Sequence, residues 1–195
     1  MVTVLRYDGA IRYRSRSISS FEENIADIAR VRENLPGFSF EDAEDHRADM
    51  PVVDRILSYF EARTGGKRLA CRADINPSDM KDLLPDVCIF ELEKDPDGLL
   101  EDVVIRLMGT NVVSFYGELT GKSIFTHPSS LVADRIFKSA VFGLKRRCPV
   151  LVQAFTLSEE KNHLRVSVLY VPLSENNADI DRFFTHVSVS RSLTS

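Results

Sequence analysis

The run Val103-Val104-Ile105-Arg106-Leu107-Met108 has the composition of a buried strand, and Gly109-Thr110 ends it abruptly. Shortly after, Gly117-Glu118-Leu119-Thr120-Gly121-Lys122 sets a second pair of glycines around Leu-Thr. A long amphipathic stretch at residues 128–147 and three more strand patterns follow. A strand broken at glycine, short turns, one long helix and a further group of strands describe a small α+β domain with helices laid over an antiparallel sheet. This order suits a sensor or interaction module better than an enzyme.

The chain has 195 residues, enough for one well-buried domain with an extension. Its net charge of −4 speaks against nucleic acid as the main partner, because phosphate binding needs a concentrated positive surface. No apolar run approaches the ~18 residues of a membrane-spanning helix. Residues 1–20 hold four arginines but no apolar core of a secretory signal, and read as a weakly ordered arm. The three cysteines, Cys71, Cys88 and Cys148, form no CxxC pair, so a reducing, cytoplasmic setting is expected.

Ser20 and Glu23 have the spacing of a capping box, which predicts a helix over residues 21–35 with Phe21, Ile25, Ile28 and Leu35 on one face and Pro36-Gly37 at its end. Residues 41–49 are strongly acidic and read as a solvated linker. The division expected is an arm, helix and linker over 1–49, then a domain with a leading helix over 50–195. That leading helix opens at Asp49 and Pro51, carries Val53, Ile56, Leu57 and Phe60 at helical spacing, and stops at Gly65-Gly66. Asn76-Pro77 caps a short helix with Met80, Leu83 and Leu84. Residues 87–93 and 102–108 form a hairpin across the Asp95-Pro96-Asp97-Gly98 turn. In the long helix Val132, Ala133, Ile136, Phe137, Ala140, Val141 and Leu144 make the buried stripe, with Asp134, Arg135 and Lys138 facing out. The last strands are expected at 150–157, 163–173 and 182–190, the first two joined by a turn at 158–162.

This order resembles the PAS domain, and in particular the single-PAS-domain family of alphaproteobacteria. The residues that carry the resemblance are the stretch Arg72-Ala73-Asp74-Ile75-Asn76-Pro77, the strand end Arg106-Leu107-Met108-Gly109-Thr110, the turn Gly117-Glu118-Leu119-Thr120-Gly121, and Val171-Pro172-Leu173 near the end of the penultimate strand. It covers about residues 50–190. It implies a five-stranded antiparallel sheet with helices on one face, enclosing a small pocket, and a bacterial signal-transduction role through ligand binding, homodimerisation or a signalling protein partner. The sequence leaves no room past residue 190 for an effector domain, so a stand-alone module is expected. A ligand-free dimerisation module is the alternative.

Strand alternation assigns the pocket wall to Ile89, Ile105 and Leu107 on the first hairpin and to Val152, Val168 and Val187 on the later strands. Val112, Phe115, Tyr116 and Phe125 complete it from the short helices, and Ile136, Phe137 and Ala140 from the long one. An Ala140→Phe change is then expected to block it. Arg106 falls on the opposite face, where a cation needs solvent or a carboxylate, and a structural salt bridge is expected.

His127 lies near the presumed mouth. It is a candidate haem ligand, or a residue bonding the backbone where the helix begins. Cys148-Pro149 similarly reads as a thiolate-haem pair or as a helix stop. The Asn-Cys-Arg-Phe-Leu run of flavin photochemistry is missing, as are a nucleophile elbow, a P-loop and a dinucleotide fingerprint. No histidine pair has metal spacing. The sequence therefore names no cofactor, no metal and no catalytic residue. An enzyme on a curved α+β sheet needs a buried carboxylate or histidine in the cavity, and the pattern places none.

Overall fold

The computed structural model describes residues 38–155 and 164–191, together with the backbone of two short N-terminal strands. Those two, β1 (Thr3–Tyr7) and β2 (Ala10–Arg14), form an antiparallel hairpin where a weakly ordered arm was expected. The helix predicted over 21–35 and the turn at 158–162 lie outside the described residues.

The main sheet comprises β3 (Ser39–Asp42), β4 (Val87–Lys94), β5 (Leu100–Met108), β6 (Val150–Phe155), β7 (Leu164–Leu173) and β8 (Arg182–Arg191). Its order is β3-β6-β7-β8-β4-β5, and every pairing is antiparallel. The sheet thus has six strands where five were expected. The extra one is β3, which begins before the acidic stretch read as a linker and takes in its first two residues, Glu41 and Asp42. Phe40 supplies the reason: it is buried in the core, with Phe38 packed edge-on against its ring at 4.8 Å. The acidic side chains are also satisfied locally. Glu41 pairs with His46 at 2.5 Å, and Asp42 accepts the Glu44 amide at the start of a 3-10 turn.

Helices flank both faces of the sheet, which corrects the single helical face expected from the sequence. On the outer face lies α1 (Pro51–Thr64), ended by Gly65 in the left-handed conformation (φ 63°). Its buried residues Val53, Ile56, Leu57 and Phe60 pack on Val87, Ile89, Leu151, Leu169, Val171 and Phe184 of the strands. Burial of such side chains contributes on the order of 1.5–3 kcal/mol each. Between α1 and β4 the chain makes three 3-10 turns, Arg72–Asp74, Pro77–Asp79 and Leu84–Asp86, the last two in place of the short helix predicted there. Met80, between those two, is 1% exposed and belongs to the same core.

The inner face carries α2 (Thr110–Tyr116) and α3 (Ser130–Arg146). Gly109, just before α2, is required by close approach. A methyl group there would lie 2.3 Å from the carbonyl oxygens of both Leu84 and Pro85. The turn Gly117–Gly121 folds back along β5. Gly121 N–H donates to the Ile105 carbonyl at 2.7 Å, and Ile105 N–H donates to the Lys122 carbonyl at 3.0 Å. The turn thereby occupies part of the edge that β5 would otherwise leave open. Both of its glycines have positive φ, 86° and 79°.

Candidate functional site

The inner layer is not fully packed. A cavity of about 410 Å³ lies between α2, α3 and the sheet. Its position follows from the seating of α3. Near its C-terminal end, Gly143 brings the backbone so close that an added Cβ would sit 2.8 Å from the Phe183 ring. The residues of α3 that line the cavity, Val132, Arg135, Ile136 and Ser139, all come from its N-terminal part, and its last two turns contribute none. The helix is therefore tight at one end and stands off at the other. Beneath the raised end the sheet presents short side chains, Val152, Ala154, Val166, Val168 and Val187, which do not fill the gap.

Of the residues assigned to a pocket from the sequence, Ile105, Val112, Phe115, Tyr116, Ile136, Val152, Val168 and Val187 line this cavity. Five do not. Ile89 points to the outer core, and Leu107 is 39% exposed. The error at Leu107 traces to a β-bulge in β5, whereas Ile89 simply takes the outer phase of a regularly alternating β4, between Cys88 and Phe90 of the inner core. The register steps from Ile89–Leu107 to Phe90–Ile105, leaving Arg106 as the extra residue. Beyond it the alternation reverses, so Met108 rather than Leu107 reaches the cavity, opposite Cys88. Phe125 and Phe137 pack against each other at 5.6 Å, to the side of the cavity. Ala140 is fully buried in the surrounding core, so Ala140→Phe would overpack the core instead of plugging the pocket. Arg106 itself pairs with Glu91 at 2.5 Å on the outer face.

Phe38, Cys88, Phe90, Met108, Leu119, Val166 and Tyr170 were missed as lining residues. The most consequential miss is Arg135, which the helical pattern assigned to solvent. The spacing 132, 135, 136, 139 does lie on one helix face; its charge argued against that placement. The guanidinium donates from Nη1 to the Phe155 carbonyl at 2.7 Å and stands 5.4 Å from the centre of the Phe38 ring. Among the described residues its Nε is buried with no hydrogen-bond partner. Desolvation lowers its affinity for the proton, though an arginine remains charged in proteins.

The thiol and the phenols of the wall are neutral. Burial pushes the Cys88 thiol and the Tyr116 phenol each up to about 12, and raises the Tyr170 phenol as well. A thiol so shifted is a poor nucleophile, since the thiolate is the reactive form. Ser139 donates its hydroxyl to the Arg135 carbonyl at 2.7 Å. His127 accepts the Ser129 amide at Nδ1, 2.9 Å away, and its ring meets Tyr116 edge-on at 6.2 Å. Among the described residues no three His, Cys, Asp or Glu side chains are grouped to hold a metal ion. Nor, among them, is any helix long and apolar enough to cross a membrane.

A helix pair over the inner face of an antiparallel sheet, with a cavity between, is the geometry expected from the family resemblance. A comparison with family models decides the matter, because the PAS domain model matches residues 48–188. The chain belongs to the PAS domain family. Searches of curated proteins and of solved structures return no match. Three of the four stretches that carried the resemblance have structural roles in this PAS domain. Arg106 and Gly109 fix the β5 end, Gly117 and Gly121 cover its edge, and Asp74 accepts the Cys71 amide at 2.8 Å and pairs with Arg68 at 2.7 Å. Membership in this family marks the chain as a sensory or signalling module in general terms.

Proposed function

We propose that this PAS domain works as a small-molecule sensor, by binding rather than by catalysis, and passes its state on through a second copy of itself or a signalling protein partner. The observation that carries the reading is the cavity of about 410 Å³, which falls in the range of small-molecule sites. Its wall is mostly apolar with a few convergent polar groups, the usual composition of such sites. A module that served association alone would gain stability by filling this space, because each unfilled methylene volume costs dispersion contacts. The protonated state of the wall's thiol and phenol favours binding over chemistry: Cys88 is held as a thiol and Tyr116 as a phenol.

Native mass spectrometry of freshly purified protein, with an absorption spectrum of the same sample, tests the reading. Val168→Phe is the companion variant, since Val168 is half-buried on the cavity floor and a ring there would occupy it. A discrete adduct on the wild type that is absent from the folded variant supports a sensor. A wild type that runs without adduct, and gains no thermal stability from any member of a small-molecule library, would move the function to the protein interface.

A further inference from the structure

We propose that the ligand of this cavity is an amphiphilic monoanion, with an apolar body on the valine floor and a carboxylate held by Arg135. The inference rests on the cavity being a binding site and goes on to name its chemistry. Among the described residues of a mostly apolar wall, Arg135 is the permanently charged group. A guanidinium carries five N–H donors. One bond to Phe155 is formed, and Nε is buried without a partner among the described residues. The acidic neighbour on the same helix, Asp134, is engaged by Lys138 at 2.6 Å. Among the described residues no carboxylate pairs with Arg135. Burying a charge without a counter-charge is costly, and a planar carboxylate offers two acceptors that match the guanidinium fork.

Two further points agree. Tyr116, which senses the Arg135 charge, remains a protonated phenol and so is a second potential donor facing the same space. Donors from Arg135 and Tyr116 and the apolar side chains of Val152, Val166, Val168 and Val187 in one wall call for an acceptor head on an apolar body. Size bounds the ligand: at about 30 Å³ per water-sized group, a space of about 410 Å³ takes on the order of a dozen non-hydrogen atoms.

Decanoate and 1-decanol match this size and differ mainly in charge. Isothermal titration of each into the full chain, stripped of bound lipid on a hydrophobic resin, is the test. Decanoate is expected to bind at least about tenfold more tightly than the alcohol, the scale of a hydrogen bond to a charged group. Arg135→Met, checked for folding by thermal unfolding, should bind both equally, and Arg135→Lys should keep part of the preference. Equal or tighter binding of decanol by the wild type overturns the anion while leaving the pocket intact. So does a preference for decanoate that survives in Arg135→Met. If neither probe binds, the pocket reading falls and this inference with it. Should Arg135→Met fail to fold, the wild-type ratio and Arg135→Lys still decide.

Discussion

Val168 and Leu169 are neighbours on β7 and face opposite layers. Leu169 is 2% exposed, packed under α1 with Phe184 and Met80, which are themselves 0% and 1% exposed. Val168 faces the cavity under the raised end of α3. One strand therefore contributes to a filled core on one side and an unfilled one on the other. The outer layer gains from close fit, as protein interiors generally do. The inner layer forgoes part of that gain, and the sequence keeps it open with valines where larger side chains would close it. Stability and function in this PAS domain are divided by sheet face, and substitutions should divide the same way.

The largest effect is expected where the two layers share a support. Gly109 lies between the loop that leads into β4 and the start of α2, and any side chain there collides with backbone, which cannot step aside. Gly109→Ala should lose about 3 kcal/mol or more, at or beyond the upper end of overpacking penalties. Gly98→Ala is the control. It has positive φ, 81°, but open space around it, so it should lose only about 1 kcal/mol. Urea unfolding of the two variants compares them directly, and similar losses would mean that close approach is not what Gly109 provides.

The next comparison is made on β7 itself. Leu169→Phe must enlarge a filled core and should cost about 1–3 kcal/mol. Val168→Phe grows into empty space and should change stability by less than about 1 kcal/mol, since the lost strain-free fit is offset by new contacts. Denaturant midpoints for the pair would expose a mistake in either face: a large loss at Val168 means that the cavity does not accept a ring.

Much of this division is legible in the residues, and the failures have physical causes. The stripe Val53, Ile56, Leu57 and Phe60 predicts α1, and Gly65 predicts its end, because both follow from local geometry. The face on which α1 packs is a tertiary fact that no periodicity contains. Alternation and the structure both put Val152, Val168 and Val187 on the cavity side, because β6, β7 and β8 pair without interruption along these residues. It fails at Leu107 and Met108 because one extra residue, Arg106, reverses the phase. Arg135 was misread for a different reason: a charged side chain is assigned to solvent by default, and its exception marks the candidate site.

The smallest effect concerns the outer face again, where His186 pairs with Val87 and Leu169. The imidazole is 6% exposed, and burial lowers its pKa below the ordinary value, with Asp86 opposing weakly. The unfolded chain thus takes up the proton more readily than the folded one. Stability that depends on neutral His186 is fully present above about pH 6.5 and is lost as pH falls through the lower folded value. The carboxylates of Asp74 and Glu91, whose pKas are lowered by Arg68 and Arg106, titrate well below this window. Unfolding free energy measured at about pH 7.5 and about pH 5.5 should therefore fall in the wild type and fall less in His186→Gln. Equal slopes in the two proteins would place the acid sensitivity elsewhere, and would leave the filled outer layer indifferent to the charge of the histidine buried in it.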